Sequence, residues 1–190
     1  MTESKRGPSR NEESRQAILQ ATAAQFIERG WPHLTIEGIA QAAGVGKQTI
    51  YRWWHSKSAL IADCLFEGLL LPNAFVIGST GDLRHDVKQW LDDTFVIAQD
   101  PQSADFFRSL LNVAAEDKIV GRHLFDAVSG GESTLTARLN LAIADGELPV
   151  GAPVNEIAEI LVGAVVMYFI FRAPIDEGLS GRLVDAILGQ

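Results

Sequence analysis

Apolar residues recur along this chain at helical spacing, and almost nowhere do they alternate as in a strand. Ile36, Ile39, Ala40 and Ala43 share one face of a short helix. Thr35 stands before them as an N-cap, and Glu37 lies in the first turn, where its charge suits the helix dipole. Gly44 follows where a positive φ is often needed. Val45 is the apolar residue of the turn, and a second short helix starts near Gly46. Ile50, with Trp53 or Trp54 one turn later, faces inward. Ser56 caps a further helix to about Leu71, and Pro72, Gly78, Ser79 and Gly81 mark a loop. Asp82 caps a helix to about Gln99, with Leu83, Val87, Trp90, Leu91 and Phe95 as its apolar positions. Asp100-Pro101 is a cap followed by a first-turn proline. Lys118 to Asp145 reads as one long helix that Ser129-Gly130-Gly131 breaks or kinks. Two helices close the chain, about Asn155 to Arg172 and from Asp176 onward. The fold class predicted is all-α.

The stretch from Thr35 to Trp54 has the form of a helix-turn-helix. Its second helix leaves Lys47, Gln48, Thr49, Tyr51 and Arg52 for the outer face. Gln pairs well with adenine and Lys with guanine in the major groove. Tyr51, His55 and Lys57 are types that bond phosphate oxygens. The blander reading is a generic helix hairpin inside a bundle, and the combined spacing weighs against it.

These residues carry a family likeness. Thr35, Ile39-Ala40, Ala43-Gly44-Val45, Thr49, Tyr51, Trp54 and Lys57 resemble the N-terminal domain of TetR-family transcriptional regulators. Ile18-Leu19, Ala21, Phe26, Gly30 and Trp31 lie as in that family's first helix. Gly46 departs from it, since the family often has a Ser cap there. The likeness is specific over about residues 12 to 65. It implies a three-helix DNA-binding unit followed by a helical ligand-binding and dimerisation bundle. The organisation expected is a flexible arm over 1–11, a DNA-binding domain over 12–57 and a bundle over 58–190. Thr35, Lys47, Gln48, Thr49, Tyr51, Arg52, His55 and Lys57 are the expected DNA contacts, with Arg6 and Arg10 as further contacts from the arm.

Charge sharpens this picture. The 190 residues carry a net charge of −8, which argues against nucleic acid until its distribution is read. Residues 1–57 hold eight Lys/Arg and five Asp/Glu, whereas 58–190 hold eight and nineteen. A basic head on an acidic body suits a protein that grips phosphates at one end. Cys64 is the sole cysteine, so no intrachain disulfide exists, and a cytoplasmic setting is expected. The longest apolar run, 160–171, is 12 residues long. That is short of the roughly 20 a bilayer span needs, so no membrane partner is expected.

That run is apolar all round and needs burial on more than one side. A second copy of the chain is the simplest way to supply the other side, the alternative being a core helix at the centre of a monomeric bundle. Leu161, Val165 and Val166 on this helix, with Leu179, Leu183 and Ile187 on the last, form the expected homodimer face, a four-helix bundle. The resemblance also implies a ligand pocket between the dimerisation helices and the helix after the DNA-binding unit. Phe66, Trp90, Phe95, Phe106, Phe107, Phe125, Met167 and Tyr168 are its candidate lining, and their low charge points to a small apolar or aromatic ligand. Aromatics at helical spacing are also what an ordinary core contains.

Catalytic readings find little support. Gly44-Val45-Gly46-Lys47-Gln48-Thr49 lacks the earlier glycine, the hydroxyl after lysine and the preceding strand of a phosphate loop. Asp92 and Asp93 point about 100° apart on a helix. His33, His55, His85 and His123 have no metal-ligand spacing, and no nucleophile elbow occurs. No enzyme activity, metal or cofactor is expected. The favoured reading is a ligand-released repressor that binds near-palindromic operator DNA as a dimer. The rival is an all-helical ligand-binding or enzymatic bundle whose N-terminal hairpin is structural.

Overall fold

The computed structural model describes residues 10–71, 75–131 and 133–189. Among these it contains ten α-helices, one 3-10 turn and no strand. Three helices form the head: α1 (Arg10–Arg29), α2 (Ile36–Ala42) and α3 (Lys47–Trp53). The 3-10 turn Trp31–His33 follows α1. Next come α4 (Lys57–Phe66), α5 (Leu83–Gln99), α6 (Pro101–Glu116), α7 (Lys118–Val128), α8 (Thr134–Ala144), α9 (Val154–Phe171) and α10 (Leu179–Leu188).

Short side-chain caps start most of these helices. Thr35, Ser56, Asp82, Asp100, Asp117 and Ser133 each accept a hydrogen bond from a backbone N–H two or three residues on. Glycines stop others. Gly44 and Gly68 adopt φ of 66° and 69°, and the next residue's N–H turns back, Val45 to Ala40 at 3.0 Å and Leu69 to Cys64 at 2.8 Å. The second of these stops shortens α4, which ends at Phe66 rather than near Leu71. Arg10 and Asn11, expected in the arm, belong to α1. Residues 118–145 form two helices, as the glycine pair permits. At Gly130 a Cβ would stand 2.6 Å from the Asp126 backbone, too close for any side chain. The last helix begins at Leu179, capped by Gly178; Asp176 instead accepts a bond from Arg182 at 2.7 Å.

In the head, Ile18, Leu19 and Phe26 of α1 meet Ile39 and Ile50, all fully buried. Helix α4 packs on α1 on one side and on α7 on the other, and so ties head to body. Cys64 is sealed there and donates to the Leu19 carbonyl at 3.4 Å. Burial pushes its thiol up to about 12, so it stays protonated and unreactive.

In the body, α9 packs against α5, α6, α8 and α10. It is 18 residues long, with a mean hydropathy of 1.8, which by length and composition alone is enough to cross a membrane. Ile157, Ala158, Leu161, Val165 and Phe169 form its buried stripe within the bundle. Beside α5 lies an ionic network. Arg138 donates to Asp86 at 2.7 Å and to Glu147 at 2.8 Å. The side chains of Arg138 and Asp86 are only 2% and 1% exposed. Burial on its own would raise the Asp86 carboxyl, but hydrogen bonds from Thr80 and Arg138 outweigh it and hold the group below its ordinary value.

Candidate nucleic-acid interface

Helix α3 is held to the head by one face. Ile50 is fully buried, and Trp54 just beyond the helix is 5% exposed. Trp54 is therefore the inward aromatic, and its indole N–H donates to Asp63 of α4 at 2.9 Å. Trp53 packs edge-on against it at 5.4 Å, with the Arg52 guanidinium 5.4 Å from the Trp53 ring. Lys47, Gln48, Tyr51 and Arg52 are exposed together on the opposite face, and Thr49 is half-buried. His55 is exposed at the start of the next turn. Gly46 caps α3 without a side-chain bond, leaving the first N–H groups of the helix open at the same end.

Three expected contacts already have partners inside the head. Lys57 is half-buried, donates to the Leu34 carbonyl at 2.9 Å, and stands 4.4 Å from the Trp31 ring centre. It clasps α4 to the 3-10 turn. Thr35 is exposed, but its hydroxyl oxygen accepts from the Gly38 N–H at 3.1 Å. Lys47 pairs with Glu37 at 2.8 Å. Their hydrogen bond is the main reason the carboxyl lies below and the ammonium above their ordinary values. Glu37 is a residue that sequence reasoning used only for the helix dipole. The signal for its second role is a lone carboxylate on the helix packed against the cationic one. Arg6 lies outside the described residues, as does most of the arm.

The expected dimer face divides. Leu161, Val165 and Leu179 are buried within a single copy. Val166, Leu183 and Ile187 are half-buried. The apolar surface that α9 leaves exposed lies on the other side: Ile160 56%, Met167 55%, Ile170 45% and Phe171 67%, with Gly163 between them and also exposed. The run has two apolar faces, as its composition requires, but the outward one is a different set.

The candidate lining divides as well. Trp90 and Phe107 do line an apolar cavity enclosed by α5, α6, α7 and α9, together with Leu124, Val128, Val165 and Phe169. Phe106 lines a neighbouring groove beside the head. Phe95 and Tyr168 pack on each other at 5.1 Å outside that cavity. Phe66, Phe125 and Met167 point outward, 74%, 47% and 55% exposed. Phe66 meets His123 of α7 edge-on at 6.1 Å. Helix α4 itself contributes no residue to the cavity, which therefore lies one helix further from the head than the resemblance implied.

With this geometry in view, known proteins add their part. Residues 18–64 match the family model of bacterial regulatory proteins, tetR family. Residues 77–187 match the model of the tetracyclin repressor-like C-terminal domain. A DNA-binding transcriptional repressor TetR of Mycobacteroides abscessus is 30% identical over 180 residues, covering 93% of each chain. An HTH-type transcriptional regulator of Bacillus subtilis, YdeS, is 44% identical over 61 residues, which is 32% of this chain and 31% of that protein. Among solved structures, the TetR family transcription regulator SCO0332 superposes with a TM-score of 0.75 at 26% identity, covering 94% of this chain and 98% of that one.

Proposed function

The chain belongs to the TetR family of helix-turn-helix transcriptional regulators, and on that premise we propose that it is a repressor, bound to a near-palindromic operator as a homodimer and released by a small apolar or aromatic ligand. Residues 12–57 are the DNA-binding head and 58–190 the ligand-binding and dimerisation body. The observation that carries this reading is the face of α3, where Lys47, Gln48, Tyr51 and Arg52 stand exposed while Ile50 behind them is fully buried. A purely structural hairpin has no use for such a face. Lys47 and Gln48 read base edges near the open start of the helix. Thr49, Tyr51, Arg52, His55 and Thr35 set its register on phosphates. Lys57 acts behind them by holding the head in shape.

The exposed stripe of Ile160, Met167, Ile170 and Phe171 supports the dimer. Contiguous apolar surface of this kind marks an interaction site. Two heads held by such a bundle reach half-sites about 34–36 Å apart, one turn of DNA. The chain works in the cytoplasm, where operator DNA is, and binds without catalysing. A mobility-shift titration against the DNA upstream of its own gene is the direct test. The expected result is a complex that survives excess nonspecific competitor and weakens steeply with salt. Binding no tighter than to arbitrary DNA, there and in a selection from random duplexes, overturns the operator reading.

A further inference from the structure

The cavity in the body shares a wall with a second hollow, and together they indicate the chemistry of the ligand. The inner cavity holds about 50 Å³, and its lining among the described residues is entirely apolar. Trp90 Nε1 is the one side-chain heteroatom on its described wall, and it already donates to the Phe75 carbonyl at 3.2 Å. A polar group placed there loses water and finds no partner. The outer hollow, about 330 Å³, lies at the seam where Ile27 of α1 faces Ile97 of α5 and Phe106 of α6. Its volume falls in the range of small-molecule sites, and the inner cavity takes only a short hydrocarbon tip. Leu71 and Phe107 line both hollows, so two side chains separate them.

The outer hollow differs in one respect. Gln102 and Ser103 stand on its rim. Ser103 is turned to Asp100, whose carboxylate accepts its N–H at 2.8 Å. Gln102 is exposed, and its amide has no hydrogen bond among the described residues. No ionisable side chain among the described residues lines either hollow. The Asp100 carboxylate, bonded to Ser103 of the rim, disfavours an anion.

We propose that the ligand is an uncharged amphiphile: its hydrocarbon part lies along the outer hollow with its tip past Phe107 in the inner cavity, and its hydroxyl, amide or ester end bonds Gln102 at the head–body seam. This rests on the ligand-released reading above and supplies its substrate class. It also supplies a route to the head. Phe107 packs edge-on or tilted against Phe75, Phe106 and Phe169 at 5.0, 5.0 and 4.9 Å. Phe106 in turn packs on Phe26 of α1 at 5.5 Å. A molecule threading past Phe107 turns that ring, and the push reaches the head core through one more ring. Its polar end stands beside Ile27 on the same head helix.

The test uses the full chain without DNA and 1-alkanols as probes, read by calorimetry. Affinity should rise about fourfold per methylene from 1-hexanol to 1-decanol, the value of about 0.8 kcal/mol per buried CH₂. Decanoate at pH 7.5 should bind at least tenfold more weakly than 1-decanol. Gln102→Leu, on the surface, should weaken 1-decanol several-fold and leave the melting temperature unchanged. Val162→Phe, which fills the inner cavity, should end the gain for chains long enough to pass Phe107, and Val166→Phe serves if that variant does not fold. Decanoate binding as well as the alcohol, affinity indifferent to chain length, or no alcohol binding up to saturation each overturns the proposal. Adding operator then separates the two readings. Alcohol binding with this pattern that leaves operator bound upholds the site and overturns ligand release. Specific operator binding without the pattern overturns the amphiphile site alone.

Discussion

The head and the body put the same classes of residue in opposite places. The head buries Ile18, Phe26, Ile39 and Ile50 and leaves Lys47, Gln48 and Arg52 outside. The body buries a cation, Arg138, between Asp86 and Glu147 and leaves Ile160, Met167 and Phe171 outside. Neither arrangement is the lowest in energy for an isolated molecule. Exposed cations repel one another, and exposed apolar surface orders water. Each cost falls when a partner of matching chemistry arrives, a polyanion for the head and, in the proposed dimer, a second copy for the body. What each region leaves exposed therefore indicates what it meets.

The largest way to break this comparison is the buried cation. Arg138→Met removes one partner from a network and strands two carboxylates, so we expect a loss of about 3–5 kcal/mol in urea denaturation. Deleting an exposed head charge such as Arg52 should change stability by less than about 0.5 kcal/mol. Equal losses would erase the distinction between the two regions.

The outward apolar stripe comes next. Met167→Glu should weaken the dimer by about 3 kcal/mol, over a hundredfold, as read by sedimentation. The monomer should keep its helical signal, because Met167 is 55% exposed in a single copy. Leu161→Glu, on the buried side, should unfold the body instead. Met167→Glu that sediments as wild type would place the dimer elsewhere.

Gln48→Ala sharpens the head. It should cost about 1–3 kcal/mol at particular base pairs and nothing in stability. A uniform loss over all sequences would make Gln48 a backbone contact. Lys57→Met separates the clasp from a phosphate contact. Losing its bond to Leu34 and its place over Trp31 should cost about 1–2 kcal/mol of stability. The salt dependence of DNA binding should stay as it was; a slope smaller by about one would make Lys57 a phosphate contact. The smallest effect belongs to Glu37→Gln. Freed from its ion pair, Lys47 should bind DNA a few-fold more tightly at low salt, with the gain fading as salt rises.

Much of this molecule is written locally. A hydroxyl or carboxylate just before a helical run acts within one turn, so Thr35, Ser56, Asp82 and Asp100 were legible as caps. Gly44 was legible as the turn of the helix-turn-helix for the same reason, since a positive φ is a property of one residue. The exposed face of α3 followed from its period once Ile50 was placed inside. Sequence alone also determined that the run 160–171 has more apolar surface than one core can cover.

Which side of that run faces the core was left to tertiary structure. A helix apolar all round has no periodic contrast, and only packing against α5, α6 and α8 chose Leu161 and Val165 over Ile160 and Met167 for burial. The same holds for Lys57, where a cation near a recognition helix suits phosphate equally well until the Leu34 carbonyl, 23 residues upstream, and the Trp31 ring close on it. Arg138 had a local trace, a charge within the stripe of Leu135, Leu139 and Ala142, but its partners Asp86 and Glu147 come from two other segments. Caps and turns depend on neighbours in sequence and can be read from it. Burial and pairing depend on neighbours in space, and the fold alone decides those.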